Sequence, residues 1–329
     1  MIKRTIFLGT PEFAVKPLEK LIDSKYTPIL IVSQPDRPRG RNLRTEHTPT
    51  KKIALQHNIR CYQPEDINAP ESIKYIKSFE PDILIVVAYG TMINKELRTF
   101  CPFGAINLHP SLLPRHRGAD PIRSTILSED KTCGNSIFFV SAKMDSGQII
   151  LQKEYLRDQN ENFTQLQNTL NQRGAHDLIE AIEILEKNDK RYHSLKQTFQ
   201  KQEHQNATYS TKINSEAYRA NFHLPTNKFI TKIKAYSHSP GYYCSLRGKK
   251  LKLLNAQKYS NVSQETSGKI TQIIKNIGFT IALPDGEILI TETQYAGRQP
   301  MKAWEFALGA RLNIGEILEN TTPQDHAGT

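Results

Sequence analysis

The sequence predicts an α/β protein: a doubly wound, mostly parallel sheet, followed by a small β-barrel. Three observations carry this. Short apolar or β-branched runs alternate with helical stretches through the first half of the 329 residues. One run, Ile83-Leu84-Ile85-Val86-Val87-Ala88, is apolar without alternation, as a strand covered on both faces should be. Beyond a polar stretch at 187–208, five closely spaced strand-like runs follow, with hairpin chemistry at Pro284-Asp285-Gly286. The length exceeds most single cores and fits two domains.

The first strand, Ile6 to Leu8, runs into Gly9-Thr10-Pro11-Glu12-Phe13. A dinucleotide-binding protein would carry three glycines here, to free backbone amides for a pyrophosphate. One Gly followed by Pro at the first helical turn argues against a nicotinamide or flavin site. The turn still belongs near a ligand, because it lies at the carboxyl end of a strand. A helix over Phe13 to Lys25 leads to a strand at Ile29 to Val32, then a helix at Thr50 to His57 and a strand at Ile59 to Tyr62. Helix Ser72 to Phe79, strands Ile83 to Ala88 and Ala105 to Leu108, helix Pro121 to Leu127 and strand Ser136 to Val140 continue the alternation. A longer amphipathic helix from Phe163 to Lys187 closes the domain, with Leu166, Leu170, Leu178, Ile182 and Leu185 as its core face. The Gln-, Lys- and Glu-rich segment after it reads as a linker. Short helices at Ser215 to Ala220 and Asn227 to Tyr236 precede strands at Tyr242 to Leu246, Lys250 to Gln257, Gly268 to Lys275, Gly278 to Leu283 and Gly286 to Thr293.

Composition narrows the class. Hydrophobic residues make up 38% and charged residues 23%, as in soluble globular proteins. No apolar stretch approaches the roughly 20 residues of a membrane span. The basic start is followed by an apolar run that turns into Pro11-Glu12, which reads as a strand and not as a secretory signal. Cys61, Cys101, Cys133 and Cys244 lack metal-type spacing, and scattered thiols suit a reducing cytoplasm. Residues 1–189 hold 25 Lys and Arg against 23 Asp and Glu, whereas residues 190–329 hold 19 against 10. A basic second half beside a nearly neutral first half points to a polyanionic partner, nucleic acid first, or to no more than a soluble basic surface.

The chemistry concentrates in Ala105-Ile106-Asn107-Leu108-His109-Pro110-Ser111-Leu112-Leu113-Pro114, with Gly118 and Met144-Asp145-Ser146-Gly147. Asn107 and His109, two apart on a strand, point to the same side. Pro110 ends the strand, placing both at its exit, and Asp145 follows the next strand. An amide donor, an imidazole and a carboxylate suffice for acyl or formyl transfer to an amine: one holds the oxyanion, one handles the proton, one orients. Each residue alone is more often structural. Pro110, Leu112, Leu113 and Pro114 would give a rigid apolar wall with exposed amides for a flat aromatic ligand. Gln34-Pro35-Asp36-Arg37-Pro38-Arg39-Gly40-Arg41 continues through Arg44 to Lys51 and Lys52, a long basic loop suited to clamping phosphates, or a solvated loop.

Phe7 to Phe13, Gln34 to Arg41, Val87-Ala88-Tyr89-Gly90, Asn107 to Pro114, Arg117-Gly118-Ala119 and Met144 to Gly147 together resemble the methionyl-tRNA formyltransferase family. The Asn, His-x-Ser-Leu-Leu-Pro and Asp pattern is shared by formyltransferases that use 10-formyltetrahydrofolate; Gln-Pro-Asp-Arg-Pro-x-Gly-Arg is narrower. Asp120 stands where the family usually has Ala, and Leu43-Arg44 where it has two lysines. The resemblance implies a Rossmann-like catalytic domain at 1–189, a linker at 190–208, an OB-like β-barrel that meets tRNA at 209–319 and a tail at 320–329. It implies formyl transfer from 10-formyltetrahydrofolate to the α-amino group of methionine on initiator tRNA, by a monomeric cytoplasmic enzyme without a metal. Asn107, His109 and Asp145 would be catalytic. Val87, Ala88, Tyr89, Gly90, Ser111, Leu112, Leu113 and Pro114 would hold the folate, and Arg37, Arg39, Arg41 and Arg44 the tRNA. The rivals are a formyltransferase acting on a nucleotide-linked amino sugar, which needs neither the basic loop nor the basic second half, and a catalytically silent tRNA-binding protein.

Overall fold

The structure is a computed structural model and describes residues 1–39, 44–188, 191–211 and 213–320. It divides into two compact units. The first holds Met1–Pro121, Thr132–Arg157 and Gln167–Thr211; the second holds Ile122–Lys131, Asp158–Leu166 and Lys212–Thr329.

The first unit is built on a seven-stranded sheet in the order Ile149–Leu156, Thr132–Phe139, Ala105–His109, Ile83–Val87, Thr5–Gly9, Pro28–Val32, Cys61–Tyr62. The five strands from Ala105–His109 to Cys61–Tyr62 pair in parallel, and Thr132–Phe139 is antiparallel to both of its neighbours. The chain leaves Thr5–Gly9 toward one edge, then returns to lie on its other side as Ile83–Val87. The carboxyl ends of these two strands, at Gly9 and Val87, therefore flank a switch point, where open α/β sheets bind ligands. Ile6, Leu8, Leu30, Val32 and Leu84 form one core with Ile73, Ile76 and Leu97. Each fully buried Leu or Ile contributes about 1.5–3 kcal/mol relative to exposure.

Local sequence sets the helix starts. Thr48 accepts the Lys51 amide with Pro49 in the first turn, and Asn94 likewise caps Lys95–Phe100 through the Leu97 amide. The helix Phe163–Glu186 buries Leu166, Leu170, Leu178, Ile182 and Leu185 completely, the five positions that its periodicity selects.

The polar segment after this helix is packed as part of the first unit. A short helix, Tyr192–Lys196, buries Tyr192 and Leu195, and the Tyr192 ring meets Phe139 edge-on at 5.7 Å. Tyr209–Ser210 pairs in parallel with Arg117–Gly118. A few anchors among many polar residues look like a spacer when composition is averaged over a window.

The second unit carries an antiparallel sheet in the order Tyr242–Leu246, Lys249–Ser260, Gly286–Tyr295, Gly278–Leu283, Ile270–Ile274. Its two edges are bridged by the stretch 315–319, which bonds to Ser245 on one side and to Gly268 and Ile270 on the other. The helix Thr226–Tyr236 buries Phe229, Ile230 and Ile233. The tail expected at 320–329 lies outside the described residues after Asn320.

Candidate active site

His109 is the last residue of Ala105–His109, and Ala105, Asn107 and His109 share one face of that strand. Asn107 stands opposite Val86 on the parallel neighbour and Phe138 on the antiparallel one, and is half-buried. His109 is 5% exposed, with its ring edge-on to Phe138. Its Nε2 lies 3.0 Å from the His116 carbonyl oxygen. A carbonyl only accepts, so this nitrogen carries a proton. Nδ1 faces Asp145, 3.8 Å from Oδ2.

Asp145 arrives on the turn between Thr132–Phe139 and Ile149–Leu156. Its backbone is left-handed, with φ +47°, a conformation uncommon for a side chain other than Gly. Two neighbours hold it there. The Gly118 amide donates to Oδ2 at 2.8 Å, and the Gln202 side chain donates to the Asp145 carbonyl at 3.0 Å. Gly147 makes the turn possible, because a Cβ there would sit 1.7 Å from the Phe139 carbonyl oxygen.

The loop after His109 is wound by Ser136 and Gln152. The Ser136 hydroxyl donates to the Ser111 carbonyl (2.6 Å) and accepts from the Leu113 amide (3.1 Å), while Gln152 donates to the Leu113 carbonyl (2.9 Å). The Ser111 amide bonds back to the His109 carbonyl (2.9 Å), and the Ser111 hydroxyl donates to the Arg115 carbonyl (2.7 Å). The expectation of exposed amides along this loop is therefore corrected at Leu113, whose amide shapes the loop together with that of Ser111. Ser111 and Leu113 are buried, and Leu112 and Pro114 are half-buried.

At the switch point, Val87 and Tyr89 are buried while Ala88 and Gly90 are exposed, with φ +49° and +90°. A Cβ on Gly90 would meet nothing within 4 Å. The Tyr89 carbonyl accepts from Gln34 Nε2 (3.3 Å) and from the Thr10 hydroxyl (3.4 Å), which ties the Gly9 turn to this strand end. A cavity of about 530 Å³ is lined by Leu113, Pro114, Gln152 and Gln202 among others, and includes none of Asn107, His109 or Asp145. Among the described residues no cluster of His, Cys, Asp and Glu is arranged to hold a metal.

The basic loop is an antiparallel hairpin, Arg37–Arg39 with Arg44–Glu46, in which Arg39 stands opposite Arg44. Arg37 is 72% exposed and lies 3.9 Å from Glu65. Arg41 lies outside the described residues. The root of the hairpin is Asp36, which accepts from Lys51 (2.6 Å), Gln63 (2.8 Å) and the Thr48 amide (3.2 Å) and lies 2.7 Å from His47 Nδ1. Burial by itself raises the Asp36 carboxyl, but the hydrogen bonds from Lys51, Gln63, His47 and Thr48 outweigh it and hold the group well below the usual carboxylate range.

Sequence reading missed His116, Gln202 and His204. Gln202 and His204 lie in the stretch that composition marks as a linker, and His116 offers nothing in the sequence but a lone histidine. The buried Arg117 side chain donates to Gln202 Oε1 through Nε (3.1 Å) and Nη2 (2.6 Å), and Nη2 also reaches His204 Nδ1 (2.9 Å).

Two family models match the chain: formyl transferase over residues 3–182 and formyl transferase, C-terminal domain, over 212–311. The fold and these matches make the chain a formyl transferase. A methionyl-tRNA formyltransferase from Thermotoga maritima is 33% identical over 311 residues, covering 94% of this chain and 96% of that one. The chain belongs to the methionyl-tRNA formyltransferase family. Among solved structures, WlaRD, a sugar 3N-formyl transferase, superposes with a TM-score of 0.60 at 20% identity over 91% of this chain and 99% of that one. HypX from Aquifex aeolicus, in complex with tetrahydrofolic acid, gives 0.62 at 15% over 95% of this chain and 48% of that one. At these identities the two share the fold.

Proposed function

We propose that this chain transfers the formyl group of 10-formyltetrahydrofolate to the α-amino group of methionine esterified to initiator tRNA. One observation carries the reading. In a chain similar over nearly its full length to a methionyl-tRNA formyltransferase, His109 and Asp145 face each other at a strand end whose strand also presents Asn107.

The donor supplies a formyl carbon bonded to N10. Attack by the amine nitrogen forms the new C–N bond and charges the formyl oxygen; breaking the old C–N10 bond requires a proton at N10, and the amine has one to give up. Asn107 donates its amide N–H to the charged oxygen, the role in which a fixed neutral donor is most effective. His109 keeps its Nε2 proton on the His116 carbonyl, which leaves Nδ1 as the nitrogen that takes up and releases a proton. Asp145 stands beside that nitrogen and stabilises the charge that develops on it. The open backbone at Ala88 and Gly90 suits a flat ring laid against the strand end, with Val87, Tyr89, Ser111 and Leu112 to Pro114 supporting that wall. Arg37, Arg39, Arg41 and Arg44 supply positive charge for the acceptor end of the tRNA, and residues 190–329 add a further excess of 19 Lys and Arg over 10 Asp and Glu.

The test is formyl transfer from 10-formyltetrahydrofolate to Met-charged initiator tRNA, with Met-charged elongator tRNA and an amino-sugar nucleotide in parallel. Selective product on the initiator tRNA is expected. Transfer to the sugar alone would keep the chemistry and overturn the acceptor, and no transfer to any acceptor would sink the enzymatic reading.

A further inference from the structure

We propose that Gln202 is the positioning residue of this site. From the stretch that composition marks as a linker, it fixes Asp145 against His109 by tying together the two turns that build the site. The inference rests on the function proposed above.

The His116–Gly118 turn reaches the site twice: the His116 carbonyl accepts from His109 Nε2, and the Gly118 amide donates to Asp145 Oδ2. The Asp145–Gly147 turn supplies the carboxylate. Gln202 is 6% exposed and bonds to both. Its Nε2 donates to the Asp145 carbonyl (3.0 Å) and to the Gly147 carbonyl (2.8 Å), and its Oε1 accepts twice from the Arg117 guanidinium. Two donors and two acceptor positions are thus all used, which is the full capacity of a primary amide. The result is a closed ring: Gly118 amide to Asp145 carboxylate, Asp145 carbonyl to Gln202, Gln202 to Arg117, and Arg117 through its own backbone to Gly118.

The ring explains why the position requires Gln. Asp145 is held at positive φ, and the two carbonyls that Gln202 binds belong to that turn. A carboxylate at 202 would keep and strengthen the Arg117 contact but has no N–H to offer either carbonyl. The stretch around Gln202 is placed independently. His204 meets the same guanidinium, the Thr208 hydroxyl accepts the His116 amide at 2.8 Å, and Tyr209–Ser210 pairs with Arg117–Gly118. Losing the two donors should therefore release the Asp145 turn without removing the strap.

The experiment compares wild type, Gln202→Glu, Asp145→Asn and the double variant, reading kcat and KM for both substrates together with thermal unfolding. Gln202→Glu is expected to lower kcat by about tenfold or more while each KM stays within about threefold. Because Gln202 acts through the Asp145 carboxylate, adding it to Asp145→Asn should change kcat by less than about twofold. A kcat for Gln202→Glu within twofold of wild type would overturn the proposal, as would equal losses in both backgrounds, the signature of general damage. Gln202→Met, which removes the donors without adding charge, is read by the same criteria if the Glu variant does not fold. Crystal structures of wild type and Gln202→Glu need no turnover: an Nδ1 to Oδ2 separation still at 3.8 Å in the variant would overturn the proposal even if the enzyme's acceptor proved to be another amine.

Discussion

The His109 site and the basic hairpin belong to the same unit but are held in opposite ways. His109 is 5% exposed, one ring nitrogen on a backbone carbonyl and the other facing Asp145, whose turn is itself secured by Gly118 and Gln202. The Arg37 side chain is 72% exposed and lies 3.9 Å from Glu65, a loose contact, yet the backbone beneath it is anchored by four groups on Asp36. The difference follows from the work proposed for each. Moving a proton and stabilising an oxyanion depend on distances held to fractions of an ångström, so the side chains themselves must be fixed. Attraction to a polyanion acts over many ångströms and through counterion release, so the backbone is fixed and the charges are left in water.

Four substitutions sharpen or break this contrast. The largest effect is expected from His109→Ala: single-turnover formylation should fall by about 10²-fold or more with tRNA affinity nearly intact, and an undiminished rate would remove His109 from the mechanism. Gly118→Ala comes next. Its Cβ would lie 2.3 Å from the Ser210 carbonyl at φ +113°, so the amide should be pushed off Asp145. We expect kcat to fall roughly tenfold and stability by about 1–3 kcal/mol; normal kcat and an unchanged urea midpoint would show that the strap yields freely.

Asp36→Asn should raise KM for tRNA about fivefold and leave kcat alone, because it loosens the root of the hairpin and not the site; a fall in kcat would join the two regions that are separated here. This substitution also has a pH signature. The Asp36 carboxyl is held below its usual value in the folded protein. Its stabilising contribution is therefore fully present above the unfolded value of about 4 and is lost as pH falls toward the folded one. Urea midpoints of wild type should drop below roughly pH 4 by more than those of the variant, and parallel curves would contradict the assignment. Arg37→Ala is the mildest: kcat/KM at low salt should fall about two- to threefold, and the slope of its logarithm against log salt should shrink by about one unit. A change that is the same at all salt concentrations would point to packing in place of charge.

How far the sequence could be read varies with the kind of interaction. Ile83 to Ala88 announced a strand buried on both faces, and Leu166, Leu170, Leu178, Ile182 and Leu185 announced a buried helix stripe, because periodicity is a local property of the chain. Asn107 and His109 were legible for the same reason: two positions on one strand share a face whatever the rest of the fold does. Gln202 was not, since a glutamine among Gln, Lys and Glu carries no local mark, and its partners lie 55 to 85 positions away in the chain. Arg117 and Gly118 stood inside a recognisable motif, but only the folded structure shows that one side chain of the pair meets Gln202 while the other's amide meets Asp145. The exposed amide expected at Leu113 failed on the same ground. Ser136 and Gln152, one and two strands away, consume the loop's polar groups.

By itself, the sequence determined the α/β class, the basic second half, the strand-end trio and the family, because these depend on period, composition and motif. Tertiary structure alone decided that Thr132–Phe139 runs antiparallel beside His109, that Asp145 is held at positive φ, and that Gln202, from a polar stretch after the long helix, returns to hydrogen-bond Asp145, Gly147 and Arg117. Those outcomes depend on which distant donors meet which carbonyls, and a hydrogen bond between residues far apart in the chain leaves no trace in the order of either segment.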